Sequence, residues 1–149
     1  MCDTLINKEV FYWNMDIRKA KNSEIKEVKK LVDKLEEMDV IKETFPETYY
    51  RRILQKGILL VAIENQELVG VCFGTYNTKE KWADLLGLVV KEKSRKKGIG
   101  SSLVKKFEEI VKNKKLKTID LYADKTQLQL FKKLSYKQGR TYTAFRKKL

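Results

Sequence analysis

The stretch from Trp82 to Lys112, WADLLGLVVKEKSRKKGIGSSLVKKFEEIVK, constrains the fold of this chain more than any other. Trp82 to Val90 is a mostly apolar run with the length of a buried strand. Lys91 to Lys97 is polar and positive and has no place in a core. From Gly98 onward Ile99, Leu103, Val104, Phe107, Ile110 and Val111 recur at helical spacing, with Lys105, Lys106, Glu108, Glu109 and Lys112 between them. The order is strand, cationic glycine loop, amphipathic helix.

That order suits an anion. A helix begins with N–H groups that have no partner inside the helix, at the positive end of its dipole. Gly98 and Gly100 carry no side chain, so a ligand can approach the main chain there, and Arg95, Lys96 and Lys97 add charge beside them. The spacing excludes two common phosphate motifs. A P-loop needs G-x-x-x-x-G-K-[ST], which is missing, and a dinucleotide fingerprint needs a third glycine where Leu103 stands.

The string Arg95-Lys96-Lys97-Gly98-Ile99-Gly100 after Leu88-Val89-Val90 resembles the [RQ]-x-x-G-x-[GA] cofactor motif of the GNAT superfamily of acyl-CoA N-acyltransferases. The resemblance implies that the loop and helix start, Arg95, Lys96, Lys97, Gly98, Ile99, Gly100 and Ser101, bind the pyrophosphate of coenzyme A. It further implies that Leu88, Val89 and Val90 line the pantetheine arm, with the backbone of Leu88 and Val90 pairing with it. A strand-to-helix turn that needed two glycines and a soluble face is the plainer alternative. Three consecutive cations serve no packing purpose in such a turn.

The rest of the chain fits one domain over residues 13–149, with residues 1–12 as an extension. At 149 residues the chain can bury a full core. There is no apolar run long enough to span a bilayer, and MCDTLINKEV does not form a signal peptide. Cys2 and Cys72 make no disulfide framework, so a cytoplasmic setting is expected. Without any histidine the commonest base and metal ligand is missing, and no metal is expected. Of the net charge of +13, residues 91–117 contribute eight, from eleven Lys or Arg against three Glu. A field of that kind attracts an anion, either coenzyme A or nucleic acid.

Taken in order, Trp13 to Ala20 alternates as a strand, and Asn22 or Ser23 suits a helix cap. Ile25, Val28, Leu31, Val32, Leu35 and Met38 predict a helix over about 24–38. A shorter helix is predicted over about 46–56, entered at Pro46 and ended by Gly57. Ile58 to Glu64 and Glu67 to Tyr76 read as a hairpin around Asn65-Gln66. After the Trp82 strand and its helix come a strand over Thr118–Ala123, a short helix carrying Leu128, Leu130, Phe131 and Leu134, and a final strand pair over Tyr136–Lys148. This order resembles the GNAT fold from about residue 15 onward. The expected architecture is a central mixed, mostly antiparallel α/β sheet of about seven strands flanked by about four helices. The later family pattern N-x-x-A-x-x-L-Y-x-x-x-G-F is matched by Leu130 and the aromatic Tyr136, and departed from by Asp124, Gln127, Phe131 and Ser135.

The resemblance implies an N-acetyltransferase moving an acetyl group from acetyl-CoA to a primary amine by direct attack in a ternary complex. Gly87, in a strand interior, suggests a bulge, as in the family strand that splays from its neighbour. Asp84 occupies the position where several family members place a carboxylate base; facing solvent on an alternating strand is its alternative. Glu80 and Glu92 are weaker candidates. Phe131 stands where many members have a proton-donating tyrosine, leaving Tyr122 or Tyr136 as substitutes. Phe45, Tyr49 and Tyr50 fall in the region that lies over the acceptor in the family, where they touch substrate or belong to the core. Cys72 between Val71 and Phe73 reads as a buried thiol rather than a nucleophile. Two other readings stay open: a catalytically idle coenzyme A binder of the same fold, and a basic nucleic-acid-binding module. The last is disfavoured because Phe107, the aromatic within the positive stretch, belongs to the helix's apolar stripe. Whether the chain is a monomer or a homodimer is open as well.

Overall fold

In the computed structural model, residues 15–36 and 44–149 are described. The 1–12 extension, Trp13 and Met38 lie outside them. Among the described residues five strands form one sheet: β1 (Met15–Lys19), β2 (Ile58–Glu64), β3 (Glu67–Asn77), β4 (Trp82–Val90) and β5 (Thr118–Leu121). Four α-helices flank it: α1 (Ile25–Glu36), α2 (Glu47–Lys56), α3 (Ile99–Asn113) and α4 (Leu128–Lys133).

The strands lie in chain order, β1-β2-β3-β4-β5. β1 to β4 are antiparallel and β5 runs parallel to β4. Local chemistry explains the first part. Asn65 and Gln66 both adopt left-handed backbone, with φ of 50° and 65°, and so close the tight β2–β3 hairpin. The parallel pair follows from the connection, because α3 carries the chain back over the sheet before β5 begins.

The sheet is covered on both faces. Val61, Val71, Phe73 and Val89 meet α1 and α2 on one side. Leu60, Cys72, Leu85 and Leu88 meet Leu103, Val104 and Phe107 of α3 and Phe131 of α4 on the other. Burial on both faces is why β3 reads as a continuous apolar run rather than an alternating one. Helix α3 lies close against β3 because Gly74 has no side chain: a Cβ there would stand 2.8 Å from Cζ of Phe107 and 2.1 Å from the Asp84 carbonyl oxygen. Among the described residues no helix is long and apolar enough to cross a membrane.

Three expectations are corrected. The final strand pair over Tyr136–Lys148 does not form, and residues 137–149 are exposed without regular structure, so the sheet has five strands among the described residues rather than about seven. Tyr142 and Phe145 are three apart, which puts them on opposite faces of any strand, and neither face has enough apolar surface to bury. The strand from Thr118 stops at Leu121 instead of Ala123. The entry to α1 is not capped by Asn22 or Ser23. A turn of 3-10 helix over Asn22–Glu24 precedes it, and the Glu24 carboxylate accepts the Lys21 N–H at 2.7 Å while pairing with Arg18 at 2.8 and 2.9 Å. The Asn22 side-chain oxygen accepts from Arg51 at 3.0 Å instead. Helix α2 starts after Pro46 and stops at Gly57, whose N–H bonds to the Ile53 carbonyl at 2.8 Å.

Candidate active site

The parallel partners β4 and β5 pair only over Trp82–Leu85 and Thr118–Leu121. Beyond Leu85, β4 continues to Val90 alongside β3, while β5 has ended. The departure is marked by a bulge. Phe73 pairs with Gly87 and Gly74 with Leu85, so Leu86 is the extra residue, and it is 48% exposed. The bulge therefore falls one residue before Gly87. Gly87 has a separate reason to be glycine: a Cβ there would lie 2.3 Å from Cε1 of the buried Phe73 ring. A Gly87→Ala substitution is accordingly expected to destabilise the fold by about 1–3 kcal/mol, read as a lowered melting temperature.

At the far end of β4 the loop turns through a short 3-10 segment, Glu92–Ser94, with Ser94 buried. Acidic residues of the β2–β3 hairpin hold it. Lys91 and Lys93 pair with Glu67 at 2.8 and 2.7 Å, and Lys97 pairs with Glu64 at 3.0 Å. The two ammonium groups on Glu67 bring its carboxyl down to about 2. A cavity of about 170 Å³ lies among these ion pairs, lined by Glu64, Glu67, Lys93 and Lys97. It is smaller than ordinary ligand pockets and is a feature of the loop's anchorage. The reading of Lys97 as a cation without structural purpose is thus corrected. Arg95 and Lys96 are exposed, and Arg95 donates from Nε to the Val90 carbonyl at 3.0 Å.

Gly98 is the N-cap of α3 in left-handed backbone, φ 80°, with open space where a Cβ would stand. The first bond inside the helix runs from Ser102 N–H to the Gly98 carbonyl at 3.0 Å, so the N–H groups of Ile99, Gly100 and Ser101 have no helical partner. The Ile99 side chain is buried and anchors the turn. Gly100 sits over Leu88, Val90 and Leu130. The sequence motif thus folds into a cradle of main-chain donors at the mouth of the opening between β4 and β5. Leu88 and Val89 are buried, on opposite faces of β4.

Asp84 lies at the other end of the opening. It stands opposite Thr75 on β3 and opposite Asp120 on β5. Thr75 follows Phe73 by two, so Asp84 shares the face of Phe73, the side covered by α1 and α2. Partial burial, and then the Asp120 charge, push its carboxyl pKa up. On the same face Tyr49 stacks on Phe45 at 4.3 Å, and Phe73 receives the edges of Tyr49 and Tyr50 at 6.4 and 5.7 Å. Tyr49 and Phe45 are partly exposed, whereas Tyr50 is fully buried and belongs to the core, which removes it as a substrate contact.

The acid candidates separate. Tyr122 is 82% exposed just past the end of β5, with its ring against Tyr142 at 5.5 Å. Phe131 is buried, and Tyr136 packs on it at 5.4 Å. The Tyr136 hydroxyl is buried without a hydrogen-bond partner among the described residues, and burial, then Glu108 and Cys72, push its pKa up. A group so placed holds its proton and is poorly suited to release it. An unsatisfied buried hydroxyl costs about 1–3 kcal/mol. Tyr136→Phe is therefore expected to leave turnover unchanged and to keep or raise the melting temperature. Cys72 is fully buried, and desolvation pushes its thiol up, which leaves no reactive thiolate.

The family model described as Acetyltransferase (GNAT) family matches residues 25–136. The chain belongs to this family. Acyl transfer is therefore its chemical class. No curated protein matches the sequence at a significant level. Solved structures share the fold at low identity. An aminoglycoside acetyltransferase, meta-AAC0020 from an uncultured soil metagenomic sample, in complex with sisomicin, is 18% identical, with a TM-score of 0.70 over 91% of this chain and 97% of that one. The aminoglycoside N-acetyltransferase AAC(6')-Iy in complex with CoA is 16% identical, with a TM-score of 0.71 over 91% and 95%. A transcriptional regulator from Bacillus halodurans C-125 is 23% identical, with a TM-score of 0.70 over 89% and 99%.

Asp120 and Gln127 escaped the sequence reading. Nothing local marks Asp120, whose importance lies in the β4–β5 register. Gln127 did carry a signal, as a departure from the alanine of the family pattern.

Proposed function

We propose that this acyltransferase is an N-acetyltransferase that moves an acetyl group from acetyl-CoA to a primary amine by direct attack within a ternary complex. One observation carries the reading: β4 and β5 part after Leu85 and Leu121, with the start of α3 at one end of the opening and Asp84 at the other. The donor set fits coenzyme A. The N–H groups of Ile99, Gly100 and Ser101 and the Arg95 and Lys96 cations suit the pyrophosphate, and open space surrounds Gly98 at the helix start. Leu88, Val89 and Val90 would flank the pantetheine. When bound, acetyl-CoA supplies the acetyl thioester.

The protein's own task is proton management. A primary amine has a pKa near 10 and is mostly ammonium at neutral pH. Asp84 would take its proton, and the raised pKa makes Asp84 a better base than an ordinary aspartate. Asp120 opposite contributes by disfavouring a second negative charge at that point. Two carboxylates on the face that also carries the partly exposed Phe45 and Tyr49 suit a cationic acceptor, as the aminoglycosides of two structural neighbours are. With Phe131 apolar and Tyr136 turned into the core, water or the exposed Tyr122 would supply the proton to the departing sulfur. The pairing of Lys91, Lys93 and Lys97 with glutamates argues against a cationic rail for nucleic acid. A cytoplasmic setting is part of this proposal.

The placement of Phe131 and Tyr136 favours one second reading, a coenzyme A binder without turnover. A screen of aminoglycosides, polyamines and lysyl or N-terminal peptides with acetyl-CoA, following free thiol, separates the two. Thiol release with one class names the acceptor. Calorimetric binding of acetyl-CoA with no release from any amine supports the idle binder, and no binding at all overturns both.

A further inference from the structure

Among the described residues, β4 has no strand beside Leu86 to Val90 on the side vacated by β5. Such an edge presents main-chain carbonyls without ladder partners. Two of them are satisfied from within the chain by side chains. The Leu88 carbonyl accepts from the Gln127 amide, Nε2, at 2.9 Å, and the Val90 carbonyl accepts from Arg95 Nε at 3.0 Å. The two carbonyls are two residues apart and so point to the same side of the strand. Gln127 and Arg95 together imitate a strand that is not there.

The two donors differ in what they leave free. Arg95 holds its carbonyl through Nε, which leaves its terminal amino groups for an anion. Gln127 spends its amide on the contact. Its main chain is pinned at the start of α4, where its N–H bonds to the Asp124 carboxylate at 3.2 Å. Its side chain is only partly buried, so rotation about the side-chain bonds releases the amide without moving the helix. The contact lies beside the glycine cradle: a Cβ on Gly100 would stand 3.9 Å from the Leu88 and Val90 side chains and 3.6 Å from Leu130, one turn after Gln127.

We propose that Gln127 is a latch on the cofactor cleft: its amide holds the Leu88 carbonyl, and it must swing away before an extended, amide-bearing ligand can pair with that strand edge. This rests on the acyl-CoA function proposed above. An extended chain adds to a strand edge through main-chain hydrogen bonds, and the pantetheine arm is an extended chain with two amides. Each such bond to Leu88 is made by breaking one that the protein already has. The carbonyl is therefore available only in the fraction of molecules with the latch open, and the apparent affinity falls by that fraction. With alanine at this position, as in the family pattern, the carbonyl would be open at all times. Gln127 thus sets cofactor affinity, and its effect is confined to ligands that reach the strand edge.

The test is calorimetric titration of wild type, Gln127→Ala and Gln127→Met with coenzyme A and with adenosine 3′,5′-bisphosphate, which lacks the pantetheine arm. Methionine keeps the length of the side chain without its donor, and guards against a packing artefact of the alanine. One net hydrogen bond corresponds to roughly a two- to tenfold change in affinity. Both variants are expected to bind coenzyme A tighter by that factor and to bind the bisphosphate as wild type does. Unchanged or weaker coenzyme A binding by folded variants overturns the latch, as does equal tightening toward both ligands. A wild type that binds neither ligand overturns the function itself, a different result from a wild type that binds and variants that do not improve on it.

Discussion

A Gly98→Glu variant is expected to lose at least a hundredfold in acetyl-CoA affinity while remaining folded. Gly98 opens α3 in left-handed backbone, φ 80°, and no atom lies within 4 Å of where its Cβ would stand. A side chain there meets no clash. The substitution carries only the backbone strain of an L-residue in that region, about 1–2 kcal/mol. The new carboxylate, however, projects beside the N–H groups of Ile99, Gly100 and Ser101, which have no partner within the helix, and competes for them with the pyrophosphate. Hydrogen bonds to a charged oxygen contribute about 1.5–3 kcal/mol each, so losing two costs roughly 10²–10⁴ in affinity. Gly98→Ala separates the two effects, since it carries the same strain without the charge. It should lower the melting temperature about as much as the glutamate does, and bind acetyl-CoA nearly as wild type does. Near-normal binding by Gly98→Glu would remove this loop from the cofactor site.

Asp84→Asn is expected to reduce turnover by about 10²–10⁴ with acetyl-CoA affinity intact, because the amide keeps the shape but cannot take a proton. The rising limb of the pH–rate profile should vanish. A stability signature accompanies it. Burial, and then Asp120, raise the pKa of Asp84 in the folded protein. A carboxyl raised on folding binds its proton more readily in the native state, so the ionised form costs stability, and that cost grows as pH rises from the ordinary aspartate range through the raised value. The asparagine carries no such cost. The variant should therefore melt higher than wild type at neutral pH, and the gap should close below the ordinary aspartate range, where Asp84 is protonated in both folded and unfolded states. Loss of turnover with a gain in stability distinguishes a base held at a cost from a structural residue, whose removal lowers both. Asp120→Asn relieves only the neighbouring charge, and should move the rising limb to lower pH with a smaller loss of turnover. Normal turnover of Asp84→Asn at every pH would take Asp84 out of the mechanism.

Much of this architecture is legible in the sequence. The strand from Trp82 to Val90, the helix from Ile99, the helix between Pro46 and Gly57 and the hairpin at Asn65-Gln66 all stand where the sequence puts them. Each depends on signals confined to a few neighbouring residues: an apolar period, a proline or glycine at a helix end, two residues able to take positive φ. The glycine cradle was legible for the same reason, since a helix start is made by consecutive residues. The final strand pair shows the limit of that approach. Tyr142 and Phe145 have strand propensity, but a strand needs a partner and an apolar face to cover, and neither is written in the segment itself.

What only tertiary structure decided is the pairing of distant groups. Asp84 is marked in the sequence only by resemblance and Asp120 by nothing in its own segment, and the parallel register places them side by side. Lys97 reads in the sequence as a cation beside the glycines, and only the fold supplies its partner Glu64, 33 residues away in the chain. Gln127 is in the sequence only a departure from a motif, and the fold sets its amide on the Leu88 carbonyl, 39 residues away. Gly87 read as the bulge, although Leu86 carries it, because the Phe73 ring that forbids a side chain at Gly87 sits on another strand. The physical reason is the same in each case. Backbone conformation answers to local sterics and hydrogen bonding, whereas the charge beside a carboxylate and the partner of an open carbonyl depend on which segments the shared core forces together.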